Sequence, residues 1–366
     1  MLQESELTYY IALQKTPFIG DTMAKKLIEK LGSAEAIFKE KKSILQKIEG
    51  LGVVKLKHLG DTSIIDEAKK EVAYIHQHQI EAIDFKDKAY PSLLKHCIDS
   101  PILLFQRGNI DLVNRKVISI VGTRKITSHG MAFCEELVEK LALFKPVIVS
   151  GFAYGTDIVA HKAALKHNLQ TIACLAHGLN QLYPKTHQMY VNDVEKNGGF
   201  MTDFSTSNSF DRTNFLRRNR IIAGMSEATI VIESAEKGGS LVTADIAHSY
   251  DREVFAVPGR TTDKLSLGCN NLIKSQKARM LTSAEDLIYM LNWDIEEKIP
   301  MQTSLFIELN DEQKKITDKL AELGKCELDD LSLACSIPTF KLASMLLELE
   351  LSGLVRPLPG KQFELI

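Results

Sequence analysis

Residues 117–124 read Val-Ile-Ser-Ile-Val-Gly-Thr-Arg, and a helical pattern begins shortly afterwards, near Ser128. A run this short, β-branched and apolar predicts a strand that is buried on both faces. Gly122 allows a tight turn after the strand, and Ser128 is expected to cap the following helix. Free N–H groups at a helix N-terminus attract anions, and Arg124 adds a positive charge. The stretch therefore predicts an anion site, with an ordinary strand–helix turn and a surface arginine as the alternative.

From about residue 116 onward, short apolar runs alternate with helical patterns. This alternation predicts an α/β fold with a Rossmann-like, doubly wound, mostly parallel sheet that is covered by helices on both faces. Ligands of such sheets bind outside the carboxyl ends of the strands, where the glycine turns of this sequence fall. Besides 117–121, strands are predicted at 103–108, 147–151, 171–176, 199–202, 228–232 and 253–257, and helices at 157–167, 186–196, 213–225 and 243–250.

The predicted helix at 213–225 concentrates arginine, because it contains Phe-Leu-Arg-Arg-Asn-Arg-Ile-Ile. On a helix, Arg217 and Arg220 are expected to share a face, whereas Arg218 turns away. A solvated face paired with acids is the alternative, but few acids lie nearby in the chain. Unbalanced arginines beside glycine-rich loops favour a polyanion as the ligand, and Phe215 is placed to stack on a base.

The glycine turns do not match the common nucleotide-binding motifs. Residues 151–155 read Gly-Phe-Ala-Tyr-Gly, and no P-loop pattern follows any predicted strand. The six cysteines include no Cys-x-x-Cys pair, which is typical of reduced core cysteines and not of a metal site. We therefore expect neither a cofactor nor a metal. Asp157 and His161, four residues apart, are interpreted as structural, with a catalytic or metal pair as the alternative.

The overall composition limits the possible functions only loosely. A chain of 366 residues suggests two or three domains. The formal net charge is -2 and the pI about 6.6, so any nucleic-acid site must be a local patch. No apolar run approaches membrane-spanning length, and reduced cysteines favour a cytoplasmic location.

Residues 1–60 are predicted to form a small helical domain. Residues 16–20 and 48–52 resemble the hairpins of helix-hairpin-helix units, although Phe18 stands where a glycine is usual. Ten lysines against seven acids give residues 1–60 a net charge of +3. Direct DNA contact is one interpretation, and a helical packing module is the alternative. Residues 61–104 are expected to connect this domain to the next.

Residues 291–305 are charged, contain Pro300 and are predicted to be a linker. Residues 306–366 are predicted to form three helices and a hairpin. This last segment contains eleven acids and seven basic residues, a net charge of -4, which disfavours contact with phosphates. We therefore expect it to contact proteins or to regulate.

Between about residues 105 and 290 the sequence resembles the DprA (Smf) family of bacterial DNA-processing proteins. The last segment likewise resembles the winged-helix domain at the end of many DprA chains. One departure follows residues 272–274, where Gln276 stands near the position of a Gly-Ala pair in the family. The matching motifs occur in the family's order and spacing at residues 120–124, 150–157 with 160–161, 183–184, 215–222, 239–244, 252–254 and 257–259.

The resemblance implies a protein, not an enzyme, that binds and protects single-stranded DNA and loads the RecA recombinase onto it during natural transformation. It also implies a homodimer built by the Rossmann-like domain, with single-strand-binding protein as a further partner. Carried over position by position, the implied DNA site comprises Gly122, Thr123, Arg124, Ser150, Gly151, Gly155, Lys185, Phe215, Arg217, Arg218, Asn219, Arg220, Gly239, Ser240 and Thr243.

Two other functions are alternatives to this one. A nucleotide-processing enzyme of a related Rossmann-like family uses a Gly-Gly-x-Gly-Thr loop with a downstream glutamate, whereas residues 238–243 read Gly-Gly-Ser-Leu-Val-Thr and Asp245 follows. A regulator that reads duplex DNA with its winged helix is disfavoured by the acidic charge of that segment.

Overall fold

The described part of the chain forms two compact units. The computed structural model describes residues 2–59, 61–293, 309–358 and 360–365. The units are Met1–Ile295 and Glu296–Ile366. The domain boundaries predicted at residues 60, 104 and 290 stay predictions, and the predicted linker lies outside the described residues from residue 294 onward.

Six helices precede the first strand of the sheet. Leu13, Leu27 and Leu104 belong to one hydrophobic core, so these helices pack against the sheet. In the turn between the first two helices, Phe18 has a φ of 65°, in the left-handed region that favours the glycine usual at this position. The helices are α1 (Glu4–Lys15), α2 (Asp21–Leu31), α3 (Ala34–Lys39), α4 (Lys42–Leu45), α5 (Val53–Leu59) and α6 (Thr62–Gln77).

A nine-stranded sheet forms the centre of the first unit. Its strands are β1 (Glu81–Asp84), β2 (Leu103–Gly108), β3 (Val117–Val121), β4 (Val147–Ser150), β5 (Thr171–Cys174), β6 (Gly198–Thr202), β7 (Ala228–Val231), β8 (Glu253–Ala256) and β9 (Arg279–Met280). They lie in the order β1-β2-β6-β5-β4-β3-β7-β8-β9. The pairs β1–β2 and β2–β6 are antiparallel, and the other neighbours are parallel.

The central strand β3 is buried along its whole length. Val117 and Val121 pack into one hydrophobic core and Ile118 and Ile120 into another, because successive side chains of a strand point to opposite faces. Its polar residue, Ser119, places its hydroxyl 2.8 Å from the Thr229 hydroxyl of β7. The predicted doubly wound, mostly parallel sheet is confirmed, and every predicted strand matches within two residues.

Helices cover both faces of this sheet. Thr127 caps α8, because its hydroxyl oxygen accepts from Gly130 N–H at 3.1 Å. The prediction that Ser128 caps this helix was wrong by one residue. The helices are α7 (Ser92–Lys95), α8 (Ser128–Leu141), α9 (Thr156–Lys166), α10 (Val191–Lys196), α11 (Arg212–Gly224), α12 (Gly239–Ser249), α13 (Leu267–Lys274) and α14 (Ala284–Met290).

The second unit has three helices, a three-stranded sheet and its own hydrophobic core, which includes Ile316, Leu331 and Leu346. The predicted winged-helix arrangement of three helices and a hairpin is confirmed. Its elements are α15 (Asp311–Leu323), β10 (Cys326–Glu327), α16 (Leu328–Cys335), α17 (Thr339–Leu351), β11 (Val355–Leu358) and β12 (Gln362–Leu365).

Among the described residues, no single helix is long and apolar enough to cross a membrane. Helices α16 and α17 are long and apolar enough only when they are taken together, and a bend of 103° separates them.

Candidate nucleic-acid interface

A cleft opens at the carboxyl edge of the sheet beside β3 and β7. The chain passes from β3 outward through β4, β5 and β6, and returns only later to place β7 on the other side of β3. The loops after β3 and β7 therefore diverge, and ligands of open α/β sheets bind at such points. The cleft has a volume of about 820 Å³ and is lined by the loop after β3, part of α11 and the start of α12.

Close backbone packing fixes the loop that follows β3. A Cβ on Gly122 would collide with the Thr156 hydroxyl, and a Cβ on Gly155 would collide with the Thr123 carbonyl oxygen. Gly155 also has a φ of 76°, which favours glycine. The Thr123 carbonyl accepts from Thr156 N–H at 3.1 Å. Held in this way, Gly122, Thr123 and the exposed Arg124 line the cleft.

The arginines of α11 divide into an exposed and a buried group. Arg212 and Arg217 are exposed, whereas residues 218–224 are buried. Arg212 lines the cleft. The Arg217 guanidinium carbon lies 5.2 Å from the centroid of the Phe204 ring, beside a separate and smaller groove. Arg217 therefore stands near the cleft but not in it.

Arg218 forms part of the cleft floor. It is 4% exposed, and its Nη1 donates to the Gly151 carbonyl at 2.9 Å and to the Cys174 carbonyl. Burial lowers the pKa of the Arg218 guanidinium, and the Asp157 carboxylate opposes that shift. Arg218 therefore turns away from Arg217, which lines a different groove, and the carbonyls at the ends of β4 and β5 hold it beneath the cleft.

Arg220 is a buried internal anchor, whereas Arg217 on the same helix is exposed. Arg220 Nη2 lies 2.6 Å from Asp203 Oδ2 and 3.1 Å from Asp21 Oδ2. Burial opposes the charge, but these two carboxylates raise the pKa of the Arg220 guanidinium. Asp21 and Asp203 line the same small groove as Arg217, which is consistent with the predicted shared face. Arg220 is nevertheless buried, because α11 is covered there by segments distant in sequence, including the start of α2. The charge of Arg220 is already neutralised there.

The N-terminus of α12 opens into the cleft. Gly238 precedes the helix, and no side chain caps the first turn. Free N–H groups and the helix dipole favour an anion there, and the neighbouring Lys237 is exposed. The Asn219 amide donates to the Gly239 carbonyl at 3.4 Å, which ties α11 to this loop. Asn219, Gly239, Ser240 and Thr243 all line the cleft, and their contact with DNA stays a prediction.

Besides Gly155, Arg217 and Arg220, three further predicted site residues do not line the cleft. Ser150 is fully buried and donates to the Ile120 carbonyl at 2.6 Å. Gly151 lies beneath the floor and offers its carbonyl to Arg218. Lys185 is exposed but lines a separate groove with Arg107. Ser150 and Gly151 shape the floor, and a contact between Lys185 and DNA stays a prediction.

Two aromatic and two cationic residues outside the predicted site also line the cleft. They are Tyr183, Phe210, Arg212 and Lys237. Two signals could have found the aromatic pair, since Tyr183 belongs to a Tyr-Pro motif and Phe210 precedes Phe215 by five residues. These residues come from three separate segments, which only the folded chain brings together.

Asp157 lines the floor of the cleft, and His161 is buried beneath it. The Asp157 carboxylate accepts from Ala153 N–H at 3.2 Å, and burial raises its pKa. His161 Nδ1 lies 2.7 Å from the Thr171 hydroxyl, and burial lowers the pKa of His161 to about 3. Among the residues that the structure describes, no group of three or more metal-ligating side chains could hold an ion.

Two sequence families match this chain. The family described as DNA recombination-mediator protein A matches residues 81–292, and the DprA winged helix domain matches residues 306–361. The chain is 36% identical over 202 residues to DNA processing protein DprA of Streptococcus pneumoniae, covering 55% of this chain and 71% of that protein. It is 32% identical over 297 residues to protein Smf of Escherichia coli, covering 80% and 79%.

Solved structures agree with these matches. The X-ray structure of Streptococcus pneumoniae DprA superimposes with a TM-score of 0.62 and 27% identity, covering 79% of this chain and 98% of that one. Helicobacter pylori DprA, described as having a unique single-stranded DNA binding mode, gives a TM-score of 0.53 and 26% identity, covering 58% and 96%.

Proposed function

Because the chain belongs to the DprA family of DNA-processing proteins, we propose that it binds single-stranded DNA in the cleft and loads RecA recombinase onto it. The supporting observation is the combination of groups around one opening. Arg124, Arg212 and Lys237 are exposed cations in the lining of the cleft. The uncapped N-terminus of α12 adds free N–H groups, and three aromatic side chains line the same cleft. Cations and N–H groups bind phosphates, and rings stack on bases.

The same combination favours single strands over duplex. Bases of a single strand can leave the stack and reach the rings, whereas duplex bases are paired inside the helix. Arginine and lysine contacts to phosphates carry no sequence information. We therefore expect binding without a preferred short sequence. The single-stranded DNA binding described for Helicobacter pylori DprA is consistent with this proposal.

The finer parts of the proposal rest on family resemblance. They are a homodimer built by the Rossmann-like unit, RecA and single-strand-binding protein as partners, a cytoplasmic location and a role in natural transformation. Light scattering of the full chain at micromolar concentration tests the dimer, and a monomer would contradict it. Faster RecA filament assembly on DNA coated with single-strand-binding protein tests the loading activity, and an unchanged rate would contradict it.

A binding titration tests the proposed ligand. Fluorescence anisotropy with an oligonucleotide, a duplex of the same length and a mononucleotide should give the tightest binding for the single strand. Arg212→Ala should weaken that binding, whereas Arg115→Ala should not. Both side chains are exposed, but Arg115 precedes β3 and lies at the opposite edge of the sheet. Equal affinity for duplex, or equal effects of the two substitutions, would contradict the proposal.

A further inference from the structure

Three aromatic rings form one wall of the cleft, which we term the aromatic wall: Tyr183, Phe210 and Phe215. The ring centroids of Tyr183 and Phe210 are 5.1 Å apart. Phe215 lies 5.9 Å from Tyr183 and 5.7 Å from Phe210, and both pairs meet edge to face. The rings come from the segment before α10, the segment before α11 and α11 itself, so the wall exists only in the folded chain.

The three rings differ in what their surfaces offer to a ligand. Phe210 is 47% exposed and Tyr183 is 38% exposed, although large aromatic side chains usually bury most of their area. Phe215 is half-buried, and the Arg124 guanidinium carbon lies 5.3 Å from its ring centroid. That distance is within the range of a cation–π contact. One face of Phe215 is therefore occupied by Arg124, and the ring also contacts Tyr183 and Phe210.

Resting on the function proposed above, we propose that Tyr183 and Phe210 are the surface on which unpaired bases stack. Phe215 is a positioning residue that holds the Arg124 guanidinium for a phosphate. This assignment reverses the expectation from sequence, in which Phe215 stacks on the base. Neighbouring parts of the cleft would then bind different parts of a nucleotide. The aromatic wall would bind the base, and Arg124 would bind the phosphate.

The roles can be separated because stacking depends on bases and phosphate binding depends on salt. A stacked base contributes roughly 1–3 kcal/mol, which corresponds to about 5-fold to 150-fold in affinity. A phosphate contact lowers the logarithm of the binding constant by about 0.7 for each tenfold rise in salt. Removing a stacking ring should therefore weaken binding only to strands that contain bases. Releasing Arg124 should flatten the salt dependence of binding with or without bases.

The experiment compares an oligothymidine with an abasic strand of the same length, each titrated at several salt concentrations. Phe210→Ala and Tyr183→Ala should weaken oligothymidine binding by 5-fold or more, leave abasic binding unchanged and keep the wild-type salt slope. Phe215→Leu keeps an apolar side chain but removes the ring face, so it should flatten the slope on both strands. Tyr289→Ala removes an 80% exposed tyrosine of α14 and serves as the matched control.

Arg124→Ala completes the test. If Phe215 acts only by positioning Arg124, substituting Phe215 should cause no further loss of affinity once Arg124 has been removed. The double variant with Phe215→Leu should bind no more weakly than Arg124→Ala alone. Equal losses on both strands for Phe210→Ala and Tyr183→Ala would overturn the stacking role. A base-dependent loss with a wild-type slope for Phe215→Leu would return stacking to Phe215. If the wild type does not favour single strands, the proposed function itself fails.

Discussion

Arg124 at the mouth of the cleft and Arg220 in the layer beneath it are the same residue type in opposite environments. Arg124 is exposed and rests on an aromatic ring. Arg220 is buried between Asp21 and Asp203. A cation that solvent reaches can exchange its counterions for phosphates, whereas a buried cation with two carboxylates holds segments together. An arginine-rich motif thus divides into ligands and anchors, and burial decides which role each residue has.

The largest effect should follow from removing the anchor. Arg220→Ala leaves the Asp21 and Asp203 carboxylates buried without their cation, which should lower the free energy of unfolding by about 3–5 kcal/mol. Arg217→Ala, on the exposed side of the same helix, should change it by less than about 1 kcal/mol. Urea unfolding of both variants measures the difference. Similar stabilities for the two variants would remove the distinction between anchor and surface arginine.

A second prediction concerns the neutral His161 of the buried layer. Burial lowers the pKa of His161 from 6.5 to about 3. Between these two pH values the imidazole of His161 is protonated in the unfolded state but neutral in the folded state. Stability should therefore fall as the pH drops through this window, by about 1.4 kcal/mol per pH unit for this group. Between pH 6.5 and 5 that amounts to about 2 kcal/mol.

His161→Gln tests this prediction, because glutamine cannot take up the proton. The free energy of unfolding, measured in urea at pH 6.5 and pH 5, should fall less in the variant than in the wild type. The same loss in both proteins would show that His161 does not titrate on unfolding in this range. Asp157 has a pKa that burial raises, so it acts in the opposite direction and is common to both proteins.

Sequence patterns predicted the sheet well because its signals are local. The run from Val117 to Val121 is apolar and β-branched, and a strand buried on both faces needs nothing else. Gly122 and Gly155 were likewise placed correctly at the carboxyl edge, where their missing side chains allow close backbone packing.

The site was harder to predict because its decisive contacts are not local. Asp21 is nearly 200 residues from Arg220 in the sequence, so no spacing within α11 reveals the ion pair that buries this arginine. Phe210 and Tyr183 come from loops whose proximity depends on the whole sheet. The chemistry of the motif was predictable from residue types, whereas the burial of Arg218 and Arg220 was not.

The smallest effect should come from the second unit. On α17, Phe340, Leu347 and Leu351 are exposed apolar residues, and the lysine of that helix, Lys341, lies 2.6 Å from Glu312. Such a face lacks the exposed cations of the cleft. Deleting residues 306–366 should change single-strand affinity by less than about twofold. Fluorescence anisotropy measures it, and a tenfold loss, about 1.4 kcal/mol, would show that this unit contacts DNA.

The salt dependence of single-strand binding by Arg124→Ala shows whether the cleft is the DNA site. If Arg124 neutralises a phosphate in the cleft, the slope of log K against log salt should flatten by about 0.7 relative to the wild type. Arg115→Ala, at the opposite edge of the sheet, should keep the wild-type slope. An unchanged slope for Arg124→Ala would contradict the assignment of the cleft as the DNA site.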